Sequence, residues 1–453
     1  MSFWYPLLTL LQPGALWAWI NPYRPMLFVS GLVLFVGLLG LRRGRLPPTF
    51  STSPVRWMVA FIVVQAISVH YSGWLQMMGM FGRWYVYPMF VVLSLMLIRD
   101  ERSLRRYIWG MLLGAIFVIA YGIWAKFSGL NSTWHPGERW DMGGRAGAYG
   151  MYHNQNDYSF IIIQTLPFFY MYWRTEGRFV LRWFLFASML CSVLGILLCL
   201  SRGGMLALVL EGFLFVMLTL KRNAKLLLVP LFVVVAIGGI SYQWKMRAEN
   251  QGRLYTYADA EDTRLDLWHA AVVMIAHNPV IGVGSLRFGE FAKTYVDLFP
   301  DDIGKNAHNT YLDVAACSGL LGLTCFLGML WTTFKRLRRR TAPTGPMDRL
   351  EATRLAALMA LIGIVFRALM DAKEYDWSFY MLPTIALAVY YLAGLRESSG
   401  VAARNPSADA AAEARKSNPR RAPQGVRARA PAPVPLARVR GVRRDAAVDP
   451  KAS

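Results

Sequence analysis

Apolar runs long enough to cross a bilayer recur through the first four hundred residues of this chain. Hydrocarbon offers no water to the backbone, so each run must close its own hydrogen bonds as a helix or pair with neighbours in a closed barrel. The runs are continuous and not alternating, which excludes the barrel. Composition agrees, with 55% hydrophobic and 14% aromatic residues. The expected fold is therefore an all-α polytopic membrane protein.

Spans are predicted near 4–20, 25–41, 57–72, 84–98, 107–127, 157–173, 179–200, 203–220, 224–243, 309–334, 353–370 and 378–395, about twelve in all. Pro6, Pro13 and Pro25 interrupt or flank the first two. Basic residues mark every second connection. They are Arg42, Arg43, Arg45 and Arg56, then Arg99, Arg102, Arg105 and Arg106, then Arg174, Arg178 and Arg182. Lys221, Arg222 and Lys225, and finally Lys335 to Arg340, continue the series. The positive-inside rule puts these connections and both termini in the cytoplasm. Much of the net charge of +22 lies in these clusters and in the tail, so no nucleic-acid partner is expected.

Residues 1–395 are expected to form the membrane domain. Residues 396–453, rich in Ala, Pro and Arg, form a tail that cannot bury a core and is expected to be disordered, touching membrane lipid at most loosely. The start has neither a basic n-region nor a small-residue cleavage site, which predicts no cleaved signal peptide. Cys191 and Cys199, like Cys317 and Cys325, stand eight apart on one helix, roughly 12 Å of rise and too far to bridge. No Cys/His cluster has zinc spacing, and neither a metal nor a cofactor is expected.

The face opposite the basic loops carries the polar motifs. Its largest piece is a loop over 244–308, with an amphipathic helix predicted between Asp262 and His277. Leu265, Trp268, Val272 and Ile275 recur there at helical spacing, and Asn278-Pro279 ends the run. His308, in Lys305-Asn-Ala-His-Asn-Thr-Tyr-Leu-Asp313, sits where this loop enters an apolar run. It either caps that span or moves a proton near neutral pH. Arg202, in Ser201-Arg-Gly-Gly204, lies at a boundary where the charge statistics disfavour arginine. It either snorkels or meets an anion at the start of the next helix. Arg264 either pairs with Asp262 or Asp266 or offers phosphate a two-pronged bond.

Gly282-Val-Gly284 lacks the ending and context of a phosphate loop and reads as a tight turn that lets backbone approach a ligand. Arg145 with His153, Asn154, Asn156 and Asp157 suits sugar hydroxyls or a diphosphate, with capping by Asn156 or Asp157 as the plainer role. Glu211 lies near the middle of a span and is expected to pair with a cation on a neighbouring helix. Arg367 and Asp371 look like a supporting ion pair. No Walker motif, HExxH, G-x-S-x-G elbow or Asp-x-Asp pair occurs, so the driving energy is expected in the substrate and not in ATP.

Three motifs together resemble the O-antigen ligase and Wzy-type polymerase superfamily. They are Arg202 in Ser-Arg-Gly-Gly, Arg264 with Trp268 and Asn278-Pro-Val-Ile-Gly-Val-Gly284, and His308-Asn-Thr-Tyr-Leu312. The motif likeness covers about 140–335. Trp17-Ala-Trp-Ile-Asn-Pro-Tyr-Arg24 and Asn156-Asp157 further resemble the exosortase A-associated O-glycosylation ligases.

The resemblance implies a GT-C-like architecture in the bacterial inner membrane. It implies transfer of a glycan from an undecaprenyl-diphosphate carrier to an acceptor hydroxyl on the periplasmic face. The acceptor would be lipid A core, protein or growing polysaccharide. Arg202 and Arg264, with Arg145, would hold the diphosphate, and His308 would take the acceptor proton. Asn156, Asn309, Tyr311, Gly282 and Gly284 would support them. A polymerase is the alternative within this class, and a lipid-linked glycan transporter or flippase the alternative outside it. The latter predicts polar residues through the midplane, where chiefly Glu211 lies.

Overall fold

The computed structural model describes residues 1–23, 25–41, 52–69, 86–128, 145–251, 257–298, 300–341, 347–374 and 376–404. The arginines at 42, 43 and 45, the side chain of Asp262 and the tail beyond 404 lie outside them. Every regular element among the described residues is helical. The chain divides into two units, Met1–Arg396 and Glu397–Ser453, and every candidate site residue belongs to the first.

Among the described residues six helices are long and apolar enough to cross a membrane. They are α6 (Glu101–Phe127), α8 (Phe179–Cys199), α9 (Arg202–Thr219), α13 (Thr310–Arg338), α14 (Arg349–Arg367, running on to Met370) and α15 (Ser378–Arg404). α3 (Pro25–Leu41), α4 (Ser53–Ser68) and α5 (Val86–Leu97) are apolar but shorter. α7 (Gln155–Thr175) and α10 (Arg222–Gln251) have the length of a span with a less apolar make-up. The fold is that of a polytopic membrane protein, and the described residues confirm six of the expected twelve or so spans.

The first predicted span, 4–20, fails for a local reason. Gln12 turns left-handed at φ 45°, and Pro13 has no N–H to carry the helix on. The stretch breaks into α1 (Trp4–Leu11), α2 (Pro13–Leu16) and a 3₁₀ segment, Ala18–Tyr23. An eight-residue helix reaches about 12 Å and cannot span. Instead α1 lies against α6, where Gly110 and Gly114 give its backbone room. A Cβ on Gly110 would stand 2.0 Å from the Phe3 carbonyl.

Buried and lipid-facing helices separate clearly. The apolar windows of α14 and α15 are each 72% buried, against 28% for α8 and 33% for α9. α14 and α15 therefore line the centre, and α8 and α9 turn most of their surface outward. Tyr158 wedges the start of α7 between α6 and α8, facing Gly122 and Gly195 and bonding the Ile119 carbonyl at 2.6 Å.

The expected loop helix exists as α11 (Tyr257–His277), but its inner face differs from the predicted stripe. Leu265 and Val272 are exposed, whereas Leu267, Ala270, Ala271 and Met274 are buried. These pack on Phe288 and Ala292 of α12 (Phe288–Tyr295) and on Ala307, Ala316 and Cys317. The small alanines allow this close docking, and an apolar-residue count favours the wrong side. Glu211 also departs from expectation. It is buried with neither oxygen hydrogen-bonded, against Gly363 of α14.

Candidate functional site

The site grows from the entry to α13. Asn309 caps this helix, its side-chain oxygen accepting from the N–H groups of Tyr311 (3.0 Å) and Leu312 (3.2 Å). The residue before the cap, His308, sits at φ 50°, a left-handed conformation that a residue with a Cβ rarely adopts. Such strain persists only where the surroundings over-determine it. Here the Thr310 hydroxyl donates to the Asp371 carbonyl at 2.7 Å and accepts from the Lys373 N–H at 2.9 Å. The Ala307 N–H donates to the Asp313 carboxylate at 3.1 Å. Two chain segments sixty residues apart are thereby stitched together, with the imidazole held over the seam.

The His308 Nδ1 faces Asp371 Oδ1 at 3.4 Å, with the imidazole 31% exposed and the carboxylate 6%. The expected Arg367–Asp371 pair forms at 3.7 Å, and Lys373 reaches the same carboxylate at 3.8 Å while also pairing with Asp157. Burial alone would raise the Asp371 carboxyl, but Lys373, His308 and Arg367 outweigh it and hold it at about 2. Asp371 is thus a fixed anion. Burial acts to lower Lys373, yet Asp371 and Asp157 prevail and keep it above the usual lysine range. Burial, then the Asp313 carboxylate, pushes Glu374 well above its ordinary value.

Arg367 carries the network across the helices. It is fully buried and donates to Ser159 Oγ on α7 (3.2 Å) and Ser201 Oγ ahead of α9 (3.4 Å). Ser201 caps α9 and donates to the Asn156 side chain at 2.9 Å. The cap of α7 is Asn154, not Asn156 or Asp157, which leaves Asn156 for this contact. The two glycines after Arg202 have their open side filled by protein. A Cβ on Gly203 would stand 3.0 Å from the Arg367 guanidinium, and one on Gly204 2.7 Å from Ser159.

Arg145 lies alongside, donating to the carbonyls of Cys199 (3.0 Å) and Leu200 (3.2 Å) at the end of α8. Burial lowers its pKa, and the charges of Arg202 and Arg264 lower it further. Those three guanidiniums therefore share one neighbourhood, a locus of positive charge suited to a phosphate-bearing ligand. α11 delivers Arg264 there because its buried face docks on Ala307 and Ala316.

Gly282 (φ 68°) and Gly284 (φ 117°) do form a tight turn, and the backbone they approach is that of α13. α13 is broken at Gly319, whose φ is 68° and ψ −179°. The turn takes over the freed groups. Val283 and Gly284 donate to the Ala316 and Cys317 carbonyls, each at 3.0 Å, and Leu320 donates to the Pro279 carbonyl at 2.8 Å. Tyr311 reaches α14 through a 2.7 Å bond to the Val365 carbonyl.

Residues 187–327 match the family model described as O-antigen ligase. Over this segment the chain is similar to the O-antigen ligases. No curated protein matches the chain. The matched stretch contains Arg202, Arg264, Gly282, Gly284, His308, Asn309 and Tyr311, whereas Arg145, Asn156, Arg367, Asp371 and Lys373 lie outside it. It reaches neither 17–24 nor Asn156-Asp157, on which the exosortase-associated likeness rested. The apolar helices make this a multi-pass membrane protein, and the matched segment supports a function of general O-antigen ligase or polymerase type.

Sequence reasoning gave Asp371 only a supporting role and passed over Lys373, Glu374 and Asp376. A signal was present. Asp371-Ala-Lys-Glu-Tyr-Asp376 packs four charges into the connection between two spans, and short outer loops seldom carry such density without an internal use.

Proposed function

We propose that this chain transfers a glycan from an undecaprenyl-diphosphate carrier to an acceptor hydroxyl at the outer face of the inner membrane, its termini cytoplasmic. The observation that carries the reading is the His308–Asp371 pair, set on strained backbone and tied through Arg367 to the arginine locus. A protonated Nδ1 directed at ionised Asp371 leaves Nε2 as the accepting nitrogen.

In the transfer step the acceptor oxygen attacks the anomeric carbon while Nε2 takes its proton. The bond from that carbon to the diphosphate oxygen breaks, and its electron pair leaves with the diphosphate. Arg202, Arg264 and Arg145 offset the charge that develops there. The imidazolium then returns its proton to solvent. Asp371 stabilises it in the meantime, its charge shared with Arg367 and Lys373.

The test is purified protein in liposomes, without ATP, supplied with lipid-linked glycan and acceptors of the three classes. Product from the wild type and a loss of about 10²–10⁴-fold in His308→Ala, the range of general acid–base catalysis, supports the reading. Lipid moved across the bilayer with no product from any acceptor overturns it in favour of a transporter.

A further inference from the structure

The other end of the molecule holds a second basic site. α8 runs 21 residues from the Arg178 end to Cys199, about 31 Å, so its start is a membrane thickness from Arg145 and Ser201. There a cavity of about 450 Å³ opens between the starts of α6 and α8, lined by Arg102, Arg105, Arg106 and Arg178 with Trp109 and Phe3.

The carboxylates around it are already engaged. Asp100 caps α6 through the Ser103 N–H at 2.6 Å. Glu101 pairs with Arg396 at 2.6 Å. Glu176 is shared by Arg105 (3.7 Å) and Arg349 (3.3 Å). Among the described residues Arg102, Arg106 and Arg178 have no carboxylate within salt-bridge distance. Three cations without a salt bridge therefore converge with the positive ends of two helix dipoles, and only the Asp100 carboxylate, engaged in its cap, lies within electrostatic range of Arg102.

The walls decide the kind of anion. Leu181, Phe3 and Trp109 supply apolar surface inside. Immediately after Arg178, Phe179 (75%), Val180 (76%) and Trp183 (55%) are exposed on a helix that faces hydrocarbon. Aromatic side chains at that level belong to the membrane–water boundary. A cavity with a cationic rim and a greasy exit matches a molecule that is a phosphate at one end and a hydrocarbon at the other.

We infer that this cavity is a binding site for the headgroup of an anionic phospholipid, taken from the leaflet opposite the His308 site. The guanidiniums hold the phosphodiester, and the acyl chains leave along Phe179 and Trp183. Bound there, the lipid bridges the starts of α6 and α8. The inference does not depend on the transfer reaction.

The experiment is native mass spectrometry of the delipidated full chain, titrated with phosphatidylglycerol, phosphatidylcholine or inorganic phosphate. Phosphatidylglycerol should bind far more tightly than phosphatidylcholine. The combined Arg102→Gln, Arg106→Gln and Arg178→Gln variant should lose on the order of 100-fold, about 5-fold for each basic residue at a membrane surface. Arg338→Gln with Arg339→Gln and Arg340→Gln, in another basic cluster, should keep wild-type affinity. Equal binding of the two lipids overturns the inference, as does an equal loss in the control cluster. Displacement of the lipid by millimolar phosphate would instead make this a soluble-anion site. Should the triple variant not fold, quenching by acyl-brominated phosphatidylglycerol decides. The part of it lost in Trp109→Phe must exceed that seen with brominated phosphatidylcholine, and equality would refute the site.

Discussion

Replacing Asp371 with Asn tests whether that carboxylate works through His308. The imidazole and carboxylate are 3.4 Å apart, and Asp371 is also paired with Arg367 and Lys373. The amide removes the negative partner of Nδ1 and can present its own N–H groups to the ring, which favours the tautomer with the wrong nitrogen protonated. The loss of transfer should approach that of losing the base, about 10²–10⁴-fold, or about 3–5.5 kcal/mol in the barrier.

Folding suffers separately. Removing one member of a buried pair costs about 3–5 kcal/mol, and the lower end is expected because Lys373 keeps Asp157 and Arg367 keeps Ser159 and Ser201. Activity must therefore be scored per folded protein, with monodispersity and thermal unfolding measured on each preparation. The discriminating variant combines His308→Ala with Asp371→Asn. If Asp371 acts by orienting the imidazole, the double variant is no slower than the slower single one. Independent roles would multiply the losses to about 10⁴–10⁸-fold. Multiplication, or full-rate transfer by Asp371→Asn, would refute the dyad.

Four further outcomes are expected. Arg202→Ala and Arg264→Ala should raise the donor concentration needed for half-maximal rate as well as lower turnover, and Arg202→Lys should recover only part, since an ammonium cannot form the planar fork; donor titrations check this. Asp371 is held at about 2 against an ordinary 3.8, so the stability it contributes is complete above about pH 4 and lost as pH falls through its folded value; unfolding followed from about pH 5 to about pH 2 should show an acid-side decline that Asp371→Asn flattens. Gly319→Val should lower stability by at least roughly 1–3 kcal/mol, because its φ of 68° excludes a side chain and a Cβ would stand 2.1 Å from the Val280 carbonyl; thermal unfolding in detergent reads it. Truncation after Glu397 should leave transfer per folded molecule unchanged, measured in the same liposome assay.

How much of this was open to sequence reasoning differs by residue for physical reasons. Hydrocarbon imposes its demand locally, so helical class and the placing of α6, α8, α13 and α14 followed from apolar runs alone. Arg202 and His308 stood out because charge and imidazole at a membrane boundary need a reason. Asp371 drew less notice because its pairing with Arg367, four residues away, reads as an ordinary supporting ion pair, and Lys373 drew none. The His308–Asp371 contact and the long-range bonds, from Thr310 to the Asp371 carbonyl and from the Lys373 N–H to Thr310, show that the loop belongs to His308. The buried face of α11 was misjudged for a related reason. Alanine contributes little to an apolar stripe, yet Ala270 and Ala271 are what let that helix dock. Pro13 marked the break at Gln12, whereas the left-handed angle that completes it is not written in any side-chain pattern.

The glycine turn and the helix break have one explanation when taken together. Gly319 divides α13 into a short segment, 310–318, and a long one, 320–338. The long part has a rise of about 28 Å, close to the hydrocarbon thickness of about 30 Å, and ends in the basic Lys335, Arg336 and Arg338. The short part, about 13 Å, is uncoupled from the axis of the long one by the break at Gly319 and is positioned by its own contacts. Its first turn is tied to Asp371 and Lys373 through Thr310, and its last to Val283 and Gly284 through the Ala316 and Cys317 carbonyls. Ser68 of α4 adds a third tie, 2.6 Å from the Cys317 carbonyl. A helix continuous with the membrane span would inherit the span's tilt and could not be set independently against the arginine locus. A segment cut free at Gly319 and clamped at both ends can be. Gly282 and Gly284 then matter for the proposed chemistry by fixing the far end of the segment that carries His308.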